Sequence, residues 1–596
     1  MQDRWNLDIL YKGFDDAEFL SDIEKFSEAI GEYALLAKNA EKLNARELIL
    51  GYVELNKKIT DLGDKLFIFA NLRYSANTAD ADAASSIGRL MGMVSETAAP
   101  TAKLGKIIAA TPNLEEIIAS SELLSEHSYM LLNIKRDSKY LLSEGEETVF
   151  AKMNISGAKA WDDLQSSLTS SLKVNFKGED ITLSAVRNLA YDPSPEIRRE
   201  AYEAELKSYE NIKEAVAFAL NSIKLQVLSE CELRGYESPL CKALYESRMR
   251  KETLDALISA MEEYMPAFRK YLKAKAKALG HRGGLPWYDL FAPVGKSDKS
   301  YTISDAKDYL LGIFGGFDTE LHDMVECAFD NGWIDFYPRE NKVGGAFDCG
   351  VPSAKESRVL TNFDGSFSAI VTLAHELGHS FHDRQVFKNS SLNQSYSMPV
   401  AETASTFNEV LVMNTAISAA KSTDEKLALI ESQLMDTCQI IVDIYSRYLF
   451  ETSVFENRPT EFMSSDRMCE LMLTAQKKAY GDGLDESTLH PFMWLCKSHY
   501  YSGALSFYNF PYAFGGLFAR GLYAKYAEDG ESFVSTYKEM LRKTALSDIE
   551  ECAATAGVDL TKREFWVGGL KTISDEIDEF CRLVGYGETK FALTDE

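Results

Sequence analysis

Helical spacing of apolar residues runs through most of this chain and constrains its fold more than any other feature. Apolar residues recur every three to four positions over residues 16–110, 130–170 and 193–277, with charged residues between them. The chain has only 36 Gly and 14 Pro among 596 residues, which leaves room for long uninterrupted helices. We therefore expect a mainly α protein with a large multi-helical body.

Two segments carry the alternating pattern of extended strands. Residues 171–184 alternate apolar and polar side chains on both sides of Lys177-Gly178, which predicts a β-hairpin with a tight turn. Residues 358–363 alternate in the same way, while the Gly-rich residues 336–352 indicate irregular structure. We therefore expect only a small β-sheet, placed directly ahead of the next helical segment.

The pattern also indicates two parts of unequal length. Residues 1–200 are expected to form a helical N-terminal region that includes the predicted hairpin, and residues 201–596 a longer helical body. All of the candidate catalytic and metal-binding side chains fall in the second part. The body is therefore expected to hold the functional site.

Charge and cysteine content restrict the classes of partner and compartment. The chain carries a net charge of −27, spread along its length, which disfavours binding to nucleic acids or anionic membranes. Nine cysteines without a C-x-x-C pair argue against a disulfide framework and a thiolate zinc site. No apolar run approaches the ~18 residues of a membrane span, and no signal peptide is visible. We expect a cytoplasmic monomer that binds neither nucleic acid nor membrane.

The segment His375-Glu376-Leu377-Gly378-His379 carries the strongest functional signal. Positions i and i+4 of a helix share one face, so the two imidazoles can bind one metal ion. Ser366 or Ser368 can cap such a helix. Glu376 is too close to His375 to bind the same metal ion without strain. It can instead act as a general base on an attacking water, which is the arrangement of zinc hydrolases. We therefore expect one Zn²⁺ per chain.

Two other interpretations of these histidines fit the sequence less well. Buried structural histidines would not explain why three of only eight histidines, His375, His379 and His382, fall within eight residues. A di-iron site would use the same E-x-x-H pattern but needs a second copy on another helix, and the sequence has none. Zinc remains the expected metal.

The third zinc ligand is expected on a second helix. Catalytic zinc takes three protein ligands and keeps one position open. His382 lies on the same helix face as His379. Three ligands crowded onto one helix would give poor tetrahedral geometry, so we expect His382 to lie beside the metal site or to pack in the core. Glu402 and Glu409 are seven residues apart and therefore near one face; one can bind zinc while the other orients a ligand histidine. Their spacing leaves that choice open.

Segments distributed over nearly the whole chain resemble those of one enzyme family. The matching segments are RWNLDILY (4–11), the hairpin at 171–184, FYPR (336–339), AHELGHSFH (374–382), VAETASTFNE (400–409), HYY (499–501), FYNFPYAFG (507–515) and GVDL (557–560). Together they are similar to oligoendopeptidase F, within the thimet-oligopeptidase-like zinc metallopeptidases.

The resemblance implies a complete zinc site and a particular architecture. It makes His375, His379 and Glu402 the zinc ligands. It makes Glu376 the general base and Glu409 a residue that supports the ligands. It also implies a deep substrate channel between two helical halves, with a small β-sheet beside the zinc helix. Such a channel would admit short unfolded peptides and exclude folded proteins.

The resemblance further implies a set of groups that bind the scissile carbonyl. His499, Tyr508 and Tyr512 fall where the family places these groups. Imidazole and phenol groups can donate hydrogen bonds to an oxyanion at neutral pH. The alternative for the tyrosines is aromatic packing, since Phe507 and Phe510 lie in the same segment.

Peptide substrates are usually bound as an added β-strand. Residues 357–362 alternate like an edge strand and directly precede the zinc motif, so they are a candidate for this pairing. Gly344 and Gly345 would let the substrate backbone approach closely, although two glycines are equally typical of an ordinary turn.

The function expected from these features is zinc-dependent hydrolysis of internal peptide bonds in short oligopeptides. A related zinc carboxypeptidase is an alternative, but it needs a cationic group for the substrate's C-terminus, which the sequence does not locate. An inactive peptide-binding protein is a second alternative. It would require a broken catalytic set, whereas every expected member is present.

Overall fold

The computed structural model describes residues 2–295 and 299–587, and these residues form a mainly α protein with short strands. Within those ranges, no helix combines the length and the apolar character that a bilayer span requires. The first helices are α1 (Ala17–Asn39), α2 (Ala45–Ala76), α3 (Ala81–Ser95), α4 (Ala98–Ala109), α5 (Leu114–Ala119), α6 (Glu122–Glu126) and α7 (Ser128–Asp137).

A second run of elements contains the first two strands. It comprises α8 (Glu144–Ser156), α9 (Ala158–Ser171), β1 (Lys173–Phe176), β2 (Glu179–Thr182), α10 (Leu183–Asn188), α11 (Pro195–Tyr209), α12 (Lys213–Arg234), α13 (Pro239–Glu246) and α14 (Lys251–Ala278). A third run holds the other strands. It comprises α15 (Ile303–Gly315), α16 (Thr319–Asp330), β3 (Ile334–Asp335), β4 (Phe347–Val351), β5 (Glu356–Leu360), α17 (Phe367–Val386), α18 (Met398–Ala401) and α19 (Thr403–Ala419).

The remaining elements are all helical. They are α20 (Thr423–Cys438), α21 (Ile444–Asn457), α22 (Ser465–Tyr480), α23 (Met493–Cys496), α24 (Phe510–Asp529), α25 (Glu531–Lys543), α26 (Ile549–Ala554) and α27 (Arg563–Leu583). A single π-helical turn, Gln439–Asp443, joins α20 to α21. The helical character expected from the apolar spacing is therefore confirmed.

The described chain forms two compact units, and each is built from three separate segments. Unit 1 contains residues 2–140, 299–412 and 525–558. Unit 2 comprises the rest of the described chain. The segments of both units alternate along the sequence. The division of the chain near residue 200 stays a prediction.

Unit 1 begins with a pair of long helices that local sequence signals delimit. The side chain of Asp16 caps α1, and Asn44 forms a capping box with Glu47 at the start of α2. Phe26 of α1 and Leu66 of α2 belong to one apolar core and have no solvent exposure. Burying such side chains contributes about 1.5–3 kcal/mol each.

A three-stranded sheet in unit 1 corrects two expectations. Its order is β3-β5-β4, with β3 parallel and β4 antiparallel to β5. Strand β5 is therefore central, and the expectation that residues 357–362 form an edge strand is wrong. Arg358 can be buried there because Glu356 pairs with it at 2.9 Å and it donates to the Asn6 carbonyl. Strand β4 lies within the segment expected to be irregular.

The hairpin predicted in unit 2 is confirmed. Strands β1 and β2 pair antiparallel, with Lys173 opposite Thr182 and Phe176 opposite Glu179. The two turn residues, Lys177 and Gly178, have φ angles of 53° and 88°. Positive φ at both central positions defines the type I′ turn, whose twist matches that of the strands.

Candidate active site

Helix α17 brings two histidines together in unit 1. Its N-terminus is capped by Ser366, whose side chain accepts a hydrogen bond from the Ala369 N–H at 3.1 Å. His375 and His379 follow one turn apart on the same face. Their Nε2 atoms lie 3.2 Å from each other. The predicted helix and one of its two predicted caps are therefore confirmed.

Glu402 completes a triangle of possible ligand atoms. It lies at the junction between α18 and α19. Its Oε2 atom is 3.2 Å from His375 Nε2 and 3.4 Å from His379 Nε2. Ser405 Oγ donates a hydrogen bond to the same oxygen at 2.9 Å, which fixes the direction of the carboxylate. The sequence interpretation missed Ser405, which the helical spacing of three residues from Glu402 could have indicated.

The triangle has the dimensions of a zinc site. Tetrahedral zinc with bonds of ~2.0–2.1 Å holds its ligand atoms roughly 3.3–3.4 Å apart. The observed separations are 3.2, 3.2 and 3.4 Å. The side chains of His375, His379 and Glu402 remain 25%, 20% and 30% exposed, so solvent reaches them. Two imidazoles and one carboxylate therefore fit one zinc ion with a further position for water or substrate.

The charges around His375 favour a cation at this place. Burial alone would lower the pKa of His375, but hydrogen bonds to Glu402 and Glu409 outweigh it and raise that pKa to about 10. Burial would likewise raise the pKa of Glu402, yet His375 and His379 hold it below its usual range. The carboxylates of Glu402 and Glu409 thus stabilise positive charge at this place, and a bound metal ion would supply such a charge.

Glu409 contacts the opposite side of the first histidine. Its Oε1 atom lies 2.5 Å from His375 Nδ1, while Glu402 lies on the Nε2 side. A carboxylate at Nδ1 fixes the ring orientation and the tautomer that presents Nε2 to a metal. The structure thus places the two candidate carboxylates on different ring nitrogens, a distinction that their spacing left open.

Gly378 permits α19 to approach α17 closely. A Cβ atom at this position would lie 2.5 Å from Ser405 Cα and 2.6 Å from the Ala404 carbonyl oxygen. Four residues before Gly378, the Ala374 carbonyl accepts a hydrogen bond from Asn408 Nδ2 at 3.2 Å. Since α19 carries Glu409 and begins directly after Glu402, this contact helps to set the geometry of the site.

We expect Gly378→Ala to weaken both folding and metal binding. The added methyl group meets backbone atoms, so α19 must shift, at a cost of roughly 1–3 kcal/mol in the free energy of unfolding. Urea unfolding and zinc titration measure the two effects. The control is Gly88→Ala in α3, where a Cβ meets nothing within 4 Å and helix propensity favours Ala by up to ~1 kcal/mol. Equal behaviour of the two variants would contradict the role of the close approach.

Glu376 lies in a more buried position than the ligands. Its residue is only 6% exposed. Burial raises its pKa, although the positive charge of His375 and His379 and a hydrogen bond from the Asp348 N–H act in the opposite direction. Ser380 donates to the Asp348 carboxylate at 2.6 Å, which ties α17 to β4 beside Glu376. The carboxylate is thus held next to the first ligand in surroundings that favour accepting a proton.

His382 packs within unit 1 and lies outside the ligand triangle. It has no solvent exposure, and its ring stacks on Tyr396 at a centroid distance of 4.3 Å. Its Nε2 atom is 2.8 Å from Thr544 Oγ1. Burial and the nearby His379 lower its pKa to about 3, so the ring is neutral at physiological pH. These contacts are those of a packed side chain, one of the two roles expected for His382.

A second group of possible ligands is present on α16. His322, Asp323 and Glu326 lie close enough to hold a metal ion, but Asp323 and Glu326 are exposed. Exposed acidic groups of this kind are common without a metal. We therefore assign this group no function.

In unit 2, three of the predicted residues form one aromatic cluster. The ring of His499 lies 5.2 Å from that of Tyr508 and 6.0 Å from that of Tyr512, centroid to centroid. The two tyrosine rings are perpendicular at 5.7 Å. Burial and the nearby Arg447 lower the pKa of His499, so its imidazole is neutral at pH 7. The structure therefore brings together His499, Tyr508 and Tyr512.

Gly344 and Gly345 lie in an exposed turn just before β4. A Cβ at either position would meet no atom within 4 Å, and Gly345 has a φ of 76°. Asn362 holds the turn, because its Nδ2 donates to the carbonyl oxygens of Val343 at 3.1 Å and Gly345 at 2.8 Å. The open space agrees with close approach of another backbone, and the positive φ agrees with a turn.

Comparisons with known proteins match this chain to peptidases along most of its length. Residues 188–572 match the model of Peptidase family M3, and residues 111–173 match that of Oligopeptidase F. Oligopeptidase PepF of Bacillus subtilis is 23% identical over 98% of this chain and 87% of its own length. An oligoendopeptidase F homolog of Lactococcus lactis is 24% identical, covering 98% and 97%.

Solved structures agree with this assignment at the level of the fold. A Chlamydophila abortus protein superposes with a TM-score of 0.85 at 20% identity, covering 98% of both chains. Oligoendopeptidase-F from Enterococcus faecium superposes with a TM-score of 0.69 at 17% identity, covering 95% of this chain and 99% of its own. Since the family model spans well over half of the sequence, this chain belongs to peptidase family M3 and is a metalloendopeptidase.

Proposed function

We propose that this enzyme hydrolyses internal bonds of short peptides with one zinc ion and Glu376 as the general base. The observation that carries the proposal is the triangle of ligand atoms with sides of 3.2, 3.2 and 3.4 Å. In this proposal His375, His379 and Glu402 hold the ion. Glu409 orients the first of them.

Zinc, when bound, supplies a Lewis acid that lowers the pKa of a water molecule toward ~7. The carboxylate of Glu376 accepts a proton from the attacking water as the new C–O bond forms. It then delivers that proton to the leaving amine nitrogen as the C–N bond breaks. Its buried position supports this role, because burial raises its pKa above the ordinary value of a glutamate.

The aromatic cluster of unit 2 is proposed to bind the scissile carbonyl. Tyr508, Tyr512 and the neutral ring of His499 can each donate a hydrogen bond to the oxygen as it gains negative charge. Loss of one such donor typically costs ~3–4 kcal/mol of transition-state stabilisation. The partial exposure of both tyrosines supports a role beyond core packing.

For the substrate, β4 replaces the strand that the sequence suggested. Strand β4 lies at an edge of the sheet, and the open turn at Gly344 and Gly345 precedes it directly. We propose that the peptide adds to this edge in extended form. The channel implied by the family resemblance stays a prediction, and short unfolded peptides are the proposed substrates.

Compartment and assembly follow from two further features. All nine cysteines are free thiols in the structure, which supports a reducing cytoplasm. The three proposed ligands come from one chain, so the metal site needs no second copy and a monomer suffices. Exclusion chromatography with light scattering tests the monomer directly.

A peptide digest tests the proposed function. Peptides of ~5 to ~30 residues are incubated with the enzyme and the products identified by mass spectrometry, with and without a zinc chelator. We expect internal cuts in the short peptides, loss of cleavage after chelation and recovery on adding Zn²⁺. Cuts confined to the C-terminal bond would favour the carboxypeptidase alternative. Absence of cuts from folded, zinc-loaded protein would favour peptide binding without catalysis.

A further inference from the structure

A fully buried ion pair lies in unit 2, away from the zinc ligands in sequence. Lys224 of α12 places its Nζ 2.7 Å from Glu451 Oε1 of α21, and both side chains are 1% exposed. Burying two charges costs several kcal/mol per ion before their attraction is counted, so such a pair is weak evidence for stability alone.

The second carboxylate oxygen of Glu451 reaches the segment that carries the tyrosines. Glu451 Oε2 accepts a hydrogen bond from Asn509 Nδ2 at 2.9 Å, also in a buried position. Asn509 follows Tyr508 directly, and its carbonyl oxygen accepts a hydrogen bond from the Tyr512 N–H at 3.1 Å. One buried side chain thus connects the ion pair to the backbone of both tyrosines.

The same segment contains a strained residue. Phe507 has a φ of 55°, a left-handed conformation that bulky residues rarely adopt because it is strained. Its ring stacks on Phe455 at 5.5 Å, and Lys224 Nζ lies 4.8 Å from the centre of the Phe455 ring. The Asn509 N–H donates to the Phe507 carbonyl at 2.7 Å. Contacts on both sides are therefore needed to hold this backbone conformation.

A second buried pair in the same unit offers a direct comparison. Lys275 lies 2.5 Å from Glu431, with side chains 0% and 5% exposed. The partners of this pair are different: Tyr271 donates to Glu431, and Lys275 donates to the Leu290 carbonyl. The two pairs match in residue types and burial, but only the first is seen to bond to the tyrosine segment.

We propose that Glu451, acting through Asn509 and neutralised by Lys224, is a positioning residue that fixes Tyr508 and Tyr512 for the reaction. This inference rests on the role proposed above for the tyrosines. Loss of the Asn509 contact releases the strained turn at Phe507. The phenol groups then lose their fixed direction, while the zinc ligands in unit 1 keep theirs.

Steady-state kinetics test the proposal. The two test variants are Asn509→Ala and Glu451→Gln, and the matched control is Glu431→Gln. We expect kcat to fall ~10–100-fold in the first two variants, with KM within ~3-fold and zinc content unchanged. The control should lose comparable stability in urea unfolding but keep its kcat. A folded Asn509→Ala enzyme with the kcat of the unchanged protein would overturn the proposal, as would an equal loss of kcat in the control.

A double variant separates positioning from a general structural effect. If Asn509 acts through Tyr508, adding Asn509→Ala to Tyr508→Phe should reduce kcat by much less than it does in the unchanged enzyme. Full additivity of the two losses would contradict action through Tyr508. Should Glu451→Gln fail to fold because Lys224 is left unpaired, Asn509→Ala keeps both tests available.

A spectroscopic measurement keeps this inference distinct from the proposed function. Fluorotyrosine placed at position 508 alone reports the surroundings of that ring by ¹⁹F NMR. Its resonance should shift or broaden in Asn509→Ala and stay unchanged in Glu431→Gln. An unchanged resonance in both variants would overturn the positioning role. Lack of peptide cleavage by the unchanged enzyme would instead contradict the proposed function.

Discussion

Glu376→Gln is expected to lower kcat/KM by ~10²–10⁴-fold while leaving one zinc per chain. Glutamine has nearly the same shape as glutamate but cannot accept the proton of the attacking water. Zinc binding is therefore retained and proton transfer is lost. Cleavage of an internally quenched peptide measures the rate, and elemental analysis of the purified protein measures the metal.

The control for this variant is Glu326→Gln on α16, an exposed acid in the second group of possible ligands. It should retain full activity. Retention of turnover in Glu376→Gln would remove Glu376 as the base. Loss of zinc from that variant would show that the carboxylate acts on the metal site rather than on the proton.

His379→Ala is expected to abolish metal binding and, with it, peptide cleavage. The change removes one of three ligand atoms that lie within 3.4 Å of one another and leaves Glu402 with one fewer positive neighbour. Even residues that only orient a ligand change metal affinity by 10–100-fold, so loss of a ligand should exceed ~100-fold. Zinc titration against a competing chelator gives the affinity.

His322→Ala is the matched histidine control, since it lies in the second group of possible ligands on α16. It should keep both zinc and activity. Full zinc occupancy in His379→Ala would refute the ligand assignment. Zinc loss in His322→Ala would instead locate a metal on α16.

Local features of the metal helix were open to prediction because they depend on neighbours a few residues away. A helical period of 3.6 residues places His375 and His379 on one face whatever surrounds the helix. The cap at Ser366 depends on an N–H only three residues ahead. The hairpin turn at Lys177-Gly178 is local in the same sense, and the structure confirms all three.

Assignments that depend on distant contacts could not be made from spacing. Glu402 and Glu409 were equivalent as candidates because an uninterrupted helix would carry both near one face. The chain breaks its helix at Glu402, which brings this carboxylate to the Nε2 side of His375 and leaves Glu409 at Nδ1. The close packing of α19 against Gly378 supports that arrangement.

The position of β5 shows a second limit of periodicity. The alternation of apolar and polar residues correctly predicts a strand. The same alternation is found in edge strands and in central strands whose polar residues have buried partners, so it does not distinguish the two. Arg358 is such a residue, since it pairs with Glu356 and donates a hydrogen bond to the Asn6 carbonyl. Strand β4 lies at an edge of the same sheet, within the Gly-rich segment for which the sequence predicts irregular structure.

The sequence by itself determined the helical class, the hairpin, the metal helix and the residues able to bind zinc, because each depends on local periodicity and side-chain chemistry. The tertiary structure alone decided which carboxylate faces which nitrogen, which strand lies at the sheet edge, and that His382 packs against Tyr396. It also decided that a buried pair, Lys224 and Glu451, contacts Asn509 between the two tyrosines. Contacts between residues that are not neighbours in the sequence arise only when helices and strands pack, since the desolvation and hydrogen bonding that fix them have no counterpart along the chain.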